Sequence, residues 1–269
     1  MNKKIGVLGC GWLGLPLAKS LVADKHTVFG TTTSDSKIGV LQKANIIAYT
    51  IGLTENGIEG QIENFLGELD VLIINVPPRL RSAPKESFIK KMQHLYDAIK
   101  NTELARIIFI SSTSVYGDID GLVTEDSPTR PNTESGRQLL AAENIFLNDG
   151  ALNTTIIRFG GLIGPSRHPV THLAGKTELT NGNDPVNLIH LYDCIGIIKM
   201  VLNGNWENKV INGVYPHHPT KEAYYTSEAI KRGLLPPSYI KNSKKIGNKS
   251  IESKYLNVKI YPYNTSIVS

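Results

Sequence analysis

Apolar residues fall in short dense runs alternating with stripes of helical spacing as far as residue 158, and that alternation predicts strand, helix, strand in succession. Ile5-Gly6-Val7-Leu8 reads as a buried strand, Leu17, Ala18, Leu21 and Val22 as the inner face of a helix, and residues 26–30 as a second strand. A strand at 45–49 and a helical segment at 59–66 follow. Residues 70–75 are almost all apolar, as in a strand covered on both faces, and Val76-Pro77-Pro78 stops them abruptly. Phe88, Met92, Leu95, Tyr96 and Ile99 mark the buried stripe of a helix with Pro84 near its start, and a strand at 106–110 comes next. Leu139, Leu140, Ala142, Glu143 and Phe146 then outline another helix before a strand at 153–158. Sustained alternation of this kind specifies an α/β fold with a Rossmann-type, doubly wound parallel sheet.

Between the first strand and the first helix stands Gly9-Cys10-Gly11-Trp12-Leu13-Gly14. Its glycines have separate uses in a dinucleotide-binding turn: Gly9 allows the sharp bend, Gly11 a close approach of backbone to a pyrophosphate, and Gly14 tight packing of helix on strand. Amides exposed around Trp12 and Leu13, at the positive end of the helix, would receive the phosphates. After the second strand, Thr31-Thr32-Thr33-Ser34 occupies the place where an NAD-preferring fold offers a carboxylate to the adenosine ribose. Hydroxyls there suit a 2′-phosphate, so Thr32 and Thr33 favour NADP, while Asp35 a little further on keeps NAD as the alternative. The regular pattern breaks at Phe159-Gly160-Gly161. Residues 1–160 therefore read as the NAD(P)-binding Rossmann domain and 161–269 as a smaller C-terminal substrate-type lobe, with part of 186–215 returning to the sheet.

With 269 residues, 41% of them hydrophobic, the chain can bury a full core. Its net charge of +5 is concentrated late, where Lys231, Arg232, Lys241, Lys244, Lys245, Lys249, Lys254 and Lys259 face only Glu252. No stacking aromatics interleave in the manner of a nucleic-acid surface, so this reads as a solvated face and no nucleic-acid partner is expected. Cys10 and Cys194 provide neither a disulfide framework nor a metal cluster. Cys10 at a helix start is a position where thiols gain reactivity, but a small residue tolerated in a tight loop is the simpler reading. No stretch has the length of a membrane span, and the opening apolar run is too short for a leader, which points to a cytoplasmic protein. His168 and His172 have the spacing of two ligands on one helix face, but Pro169 intrudes and no metal is expected. The serines crowded at 111–114 lack the Gly-x-Ser-x-Gly elbow of serine hydrolases.

Taken together, the glycine turn, Phe109-Ile110-Ser111-Ser112-Thr113-Ser114-Val115-Tyr116-Gly117, Arg158-Phe159-Gly160-Gly161-Leu162-Ile163-Gly164-Pro165 and Val186-Asn187-Leu188-Ile189-His190-Leu191-Tyr192-Asp193 resemble an extended short-chain dehydrogenase/reductase, the NAD-dependent epimerase/dehydratase family. The resemblance covers nearly the whole chain. It implies a dinucleotide across Gly9, Gly11 and Gly14, with Asn75, Val76, Pro77 and Ser111 nearer its nicotinamide half, and a C-terminal lobe closing over a small-molecule substrate. It also implies a catalytic tyrosine with a lysine four residues later, but those positions hold Glu134 and Gln138. Ser112 matches the family's catalytic Ser/Thr, Tyr116 is the nearest substitute acid, and Gln138 remains able to hydrogen-bond the ribose. The family's dehydratases carry an Asp-Glu pair where this chain has Thr113-Ser114, which argues against that subclass. The chain thus resembles atypical extended members of the family. Two functions are implied: an oxidoreductase or epimerase acting on a small hydroxyl or carbonyl compound such as a nucleotide-linked sugar, or a non-catalytic NADP(H) sensor. Asp193 is expected to cap the helix that runs through Ile197, Ile198 and Val201.

Overall fold

Strand β1 (Lys4–Leu8) lies inside an eight-stranded sheet, in the computed structural model that describes residues 2–78, 86–240 and 248–268. The elements that follow it are α1 (Gly14–Ala23), β2 (Thr27–Thr32), α2 (Ile38–Gln42), β3 (Ile47–Thr54), β4 (Gly57–Gly60), α3 (Ile62–Leu66), β5 (Val71–Ile74), α4 (Phe88–Lys100) and β6 (Arg106–Ser112). Then come β7 (Leu122–Val123), α5 (Glu134–Leu147), β8 (Asn153–Phe159), β9 (Gly161–Ile163), α6 (Val170–Leu173), β10 (Leu188–His190), α7 (Leu191–Asn203), β11 (Val210–Gly213), α8 (Lys221–Lys231) and β12 (Ser250–Ile251). Across the large sheet the order is β4-β3-β2-β1-β5-β6-β8-β11. Every neighbouring pair is parallel except β3 with β4. The order reverses between β1 and β5, so the crevice beyond their carboxyl ends is the switch point where open α/β sheets bind ligands.

Alternation along the strands divides the core into two layers. Leu8, Leu72 and Ile74 join Phe88, Met92 and Leu95 of α4 and Leu139 and Phe146 of α5 on one face. Ile5, Val7, Val71 and Ile73 join Leu17 and Leu21 of α1 and Ile197, Ile198 and Val201 of α7 on the other. Each such side chain, wholly withdrawn from water, contributes about 1.5–3 kcal/mol. Both faces are apolar, which is why the strands read as continuous runs.

Two local expectations change. The segment at 59–66 is helical only from Ile62; Gly57–Gly60 instead pairs back on β3 through a two-residue loop at Glu55 and Asn56. Gly60 makes that pairing feasible, because a Cβ there would lie 2.2 Å from the Thr50 carbonyl. Ser87 caps α4, its side chain accepting from the Lys90 amide at 3.3 Å. Pro84 lies outside the described residues, as do Lys241, Lys244 and Lys245 of the basic stretch. On α7 the cap is His190, whose Nδ1 accepts from the Tyr192 amide. Asp193 is fully buried and holds the C-terminal segment instead: it accepts from the Asn264 amide at 2.6 Å, the Asn264 side chain at 3.2 Å and Tyr261 Oη at 3.3 Å.

Beyond β8 the chain builds a second, smaller core of Ile163, Val170, Val186, Leu188, Tyr224, Tyr225, Ala229 and Ile267. It returns to the large sheet with α7 and β11, then leaves again. The last segment straps the two parts together. Asn187 donates to the Lys249 carbonyl and accepts from the Ile251 amide, both at 2.7 Å, β12 pairs with β7, and Glu125 accepts from Ser253 Oγ at 2.5 Å and the Lys254 amide at 2.8 Å. Among the described residues no helix is long and apolar enough to cross a membrane.

Candidate functional site

The turn after β1 meets the end of β5 at the switch point. Gly9 has φ +100°, and a Cβ on it would stand 2.8 Å from the Asn75 carbonyl. Its amide donates to Thr31 Oγ1 at 2.9 Å, and its carbonyl accepts from Asn75 Nδ2 at 3.0 Å. Gly14 is held still closer, since a Cβ there would be 2.1 Å from the Gly9 carbonyl oxygen. Gly11 is different: among the described residues a Cβ on it would meet nothing within 4 Å, and its φ is not left-handed. Neither the backbone nor the packing of the described residues requires glycine at 11, and the space above this exposed residue is open.

That space adjoins the start of α1, which has no side-chain cap and no acidic residue in its first turn. Unsatisfied amides and the positive dipole end are thus left available to an anion. Leu13 is buried in the core and offers only its backbone, whereas Trp12 leans outward and donates from Nε1 to the Pro165 carbonyl at 3.0 Å. The Cys10 thiol packs inward, and burial pushes its pKa up to about 12, which makes it unreactive. A dinucleotide pyrophosphate fits this cradle, where the start of α1 leaves its amides uncapped and no side chain stands at Gly11.

At the end of β2, Thr32 is buried and its Oγ1 accepts from the Ser34 amide at 3.2 Å, while Thr33 is exposed. The nearest carboxylate, Asp35, is turned toward β3, where it accepts from Thr50 Oγ1 at 2.6 Å. Hydroxyls and backbone, not a carboxylate, therefore line the β2 edge.

The β5 and β6 edges carry the rest of the expected site. Asn75 and Val76 buttress Gly9, and Pro77 is exposed. Ser112 ends β6, its Oγ accepting from the Ser114 amide at 3.2 Å, which leaves its proton free to donate. Ser111 is buried and donates to Glu143 Oε1 at 2.5 Å. That carboxylate is wholly buried and paired with Arg158, whose Nη2 lies 2.6 Å from Oε2 and whose Nε lies 3.1 Å from Oε1. Removing one member of such a pair costs about 3–5 kcal/mol, because the other charge is stranded. Ser111 thus works inward, toward the ion pair.

Three expected side chains are committed elsewhere. Tyr116 is fully buried beneath the Arg158 guanidinium, which lies 4.9 Å from its ring centre, and its hydroxyl donates to Asn212 Oδ1 at 2.9 Å. Burial raises its pKa, with Arg158 opposing, so the substitute acid is a packing residue of the interior. Gln138 accepts from the Phe88 amide at 2.7 Å and donates to Glu134 at 2.8 Å, tying α5 to the start of α4. Glu134 is exposed and takes a second bond from Arg137 Nε at 3.1 Å. Hydrogen bonds from Gln138 and Arg137 hold its carboxyl below the ordinary glutamate range, the wrong direction for a base toward an alcohol.

Sequence reasoning treated Glu143 and Arg158 as parts of separate elements. Each is a lone charge inside an apolar run, and that was the available sign that they pair. His168 also finds a structural role, its Nε2 3.0 Å from Tyr224 Oη, and burial lowers its pKa to about 4.

The model of the NAD dependent epimerase/dehydratase family matches residues 5–212. A protein of Escherichia coli (strain K12) named YeeZ is 36% identical over 238 residues, which cover 88% of this chain and 86% of that one. A Bacillus subtilis (strain 168) protein named uncharacterized UDP-glucose epimerase YtcB is 25% identical over 228 residues, covering 74% and 72%. Among solved structures, UDP-glucuronic acid 4-epimerase from Bacillus cereus in complex with NAD superposes with a TM-score of 0.76 at 18% identity, covering 98% of this chain and 92% of the other.

Proposed function

Since the chain belongs to the NAD-dependent epimerase/dehydratase family, we propose that it is a nicotinamide-dinucleotide enzyme that oxidises, reduces or epimerises a hydroxyl or carbonyl centre on a small molecule, of the nucleotide-sugar class. The observation that carries this reading is the glycine turn between β1 and α1, where among the described residues no atom crowds Gly11 and no side chain caps the helix start. When bound, the dinucleotide supplies hydride transfer. The chain supplies the rest. Gly9, Gly11 and Gly14 admit the pyrophosphate, the amides around Trp12 and Leu13 bind it, and Thr32 and Thr33 meet the adenosine ribose. Asn75, Val76 and Pro77 line the crevice beyond β5, and Ser112 donates its proton to a substrate oxygen. Glu134 and Gln138 take no part in proton transfer in this reading, because each is engaged by its neighbours. Lacking a carboxylate at the end of β2, the site is proposed to prefer NADP over NAD. The two cysteines, free and buried, support a cytoplasmic location.

A non-catalytic NADP(H) sensor is the weaker alternative, because the family match continues past the dinucleotide half through β8, β9, β10 and α7. The test titrates the protein with NADPH and NADH, then follows cofactor absorbance and product formation with UDP-glucose and UDP-glucuronic acid as first probes. Binding with turnover that falls about 100-fold in Ser112→Ala, at unchanged dinucleotide affinity, is the expected result. Failure to bind any nicotinamide dinucleotide overturns the reading; binding without turnover across a broad carbonyl and sugar screen transfers it to the sensor.

A further inference from the structure

The loop between β9 and α6 places an arginine against the glycine turn. Gly164 and Arg167 close a tight turn through two backbone bonds, Gly164 N to Arg167 O at 2.9 Å and Arg167 N to Gly164 O at 3.1 Å, with Pro165 and Ser166 between them. Ser166 sits at φ +58°, a conformation that costs a non-glycine residue energy and persists only where the surroundings impose it. The surroundings here are Trp12. Its indole Nε1 donates to the Pro165 carbonyl at 3.0 Å, and its ring is so close to Gly164 that a Cβ there would lie 3.1 Å from it. Over the same ring, 5.0 Å from its centre, stands the Arg167 guanidinium.

Two properties set this cation apart. Its side chain is exposed, and among the described residues no carboxylate pairs with it. It also belongs to the second lobe yet rests on the residue next to Gly11, beside a helix start that no side chain caps and no acid neutralises. Attraction to the indole face holds the guanidinium in place without using its N–H donors, so these remain available to a phosphate.

We propose that Arg167 is a phosphate-binding residue of the dinucleotide site, reaching from the second lobe to the pyrophosphate held by the α1 amides. The proposal rests on the dinucleotide reading above and adds to it a contact that couples the lobe to cofactor occupancy. Arg167 supplies charge-assisted hydrogen bonds, and Trp12 and the 164–167 turn position it. Binding of the dinucleotide then holds the lobe against the turn, and a displaced lobe weakens binding.

The test measures dissociation constants of NADH, NADPH and ADP-ribose by calorimetry for the wild type, Arg167→Lys and Arg167→Met, with melting temperatures recorded without ligand. ADP-ribose carries the pyrophosphate without the nicotinamide, so its binding reports the phosphate contact and not turnover. The expected order is wild type tightest, Arg167→Lys intermediate and Arg167→Met about tenfold or more weaker for all three ligands, a loss that shrinks as salt is raised. Melting temperatures should agree closely, since the side chain is exposed. All three proteins binding within about twofold of one another overturns the proposal while leaving the dinucleotide reading intact. A wild type that binds none of the ligands removes both. Should Arg167→Met fail to fold, Arg167→Lys decides alone: weakening of about threefold supports the contact, and unchanged affinity overturns it.

Discussion

The glycine turn after β1 and the first turn of α5 are built on opposite principles. At the turn, the proposed function is written in backbone and in missing side chains: Gly9 and Gly14 are excluded from being anything larger by their own neighbours, and Gly11 by no atom of the described residues. At α5 it would have to be written in side chains, and those present answer one another. Glu134, Arg137 and Gln138 form a closed set of hydrogen bonds, with Gln138 also receiving the Phe88 amide. A backbone cradle survives exchange of most residues around it, whereas a proton-transfer group is lost with a single replacement. One chain can therefore keep the means of holding a dinucleotide while changing its means of moving protons.

Substitutions that enlarge Gly14 and Gly11 test the first half of this contrast most severely. Gly14→Val drives a side chain into the Gly9 carbonyl and is expected to cost about 3 kcal/mol of stability, read by denaturant unfolding, with binding lost as well. Gly11→Val is the sharper instrument. Stability should stay within about 0.5 kcal/mol of wild type while dinucleotide affinity falls about 100-fold; a parallel loss of stability would mean that the space serves the fold and not a ligand. A smaller effect is expected at the β2 edge. Thr32→Asp should weaken NADPH about tenfold and leave NADH nearly unchanged, by titration of cofactor fluorescence, and equal effects on both would remove the case for a phosphate contact there.

The least change is expected at α5. Glu134→Gln should leave dinucleotide affinity and any turnover within about twofold, as befits an exposed set of surface bonds. Because its carboxyl is held below the ordinary range by hydrogen bonds from Gln138 and Arg137, Glu134 loses its proton more readily than an ordinary glutamate. It should then add no inflection to a pH–rate profile between pH 5 and 8. An inflection in that window that disappears in Glu134→Gln would restore it as a base and break the comparison.

Much of the framework was legible because a sheet covered on both faces writes itself as apolar runs: residues 5–8, 70–75 and 106–110 all became interior strands. The β3–β4 hairpin was missed because Gly57-Ile58-Glu59-Gly60 carries no alternation strong enough to oppose a helical reading, although Asn56-Gly57 is a turn signal. The glycine turn could be read residue by residue, since its requirements are local. The fates of Tyr116, Gln138 and Asp193 could not. Each is decided by a partner far along the chain: Asn212 for Tyr116, the Phe88 amide for Gln138, and Asn264 for Asp193. Arg167 was invisible for the same reason, being an ordinary loop arginine until the lobe sets it over Trp12.

The return of α7 and β11 to the sheet, and the anchoring of residues 261–265 on Asp193, bear on how the protein is made. As the polypeptide leaves the ribosome, the side of the nascent sheet that α7 will cover remains bare until residue 203 has emerged, and the buried carboxylate waits for Asn264, 71 residues further along the chain. Completion of that face is thereby postponed until these later segments have been made, with an apolar surface open to chaperones in the interval.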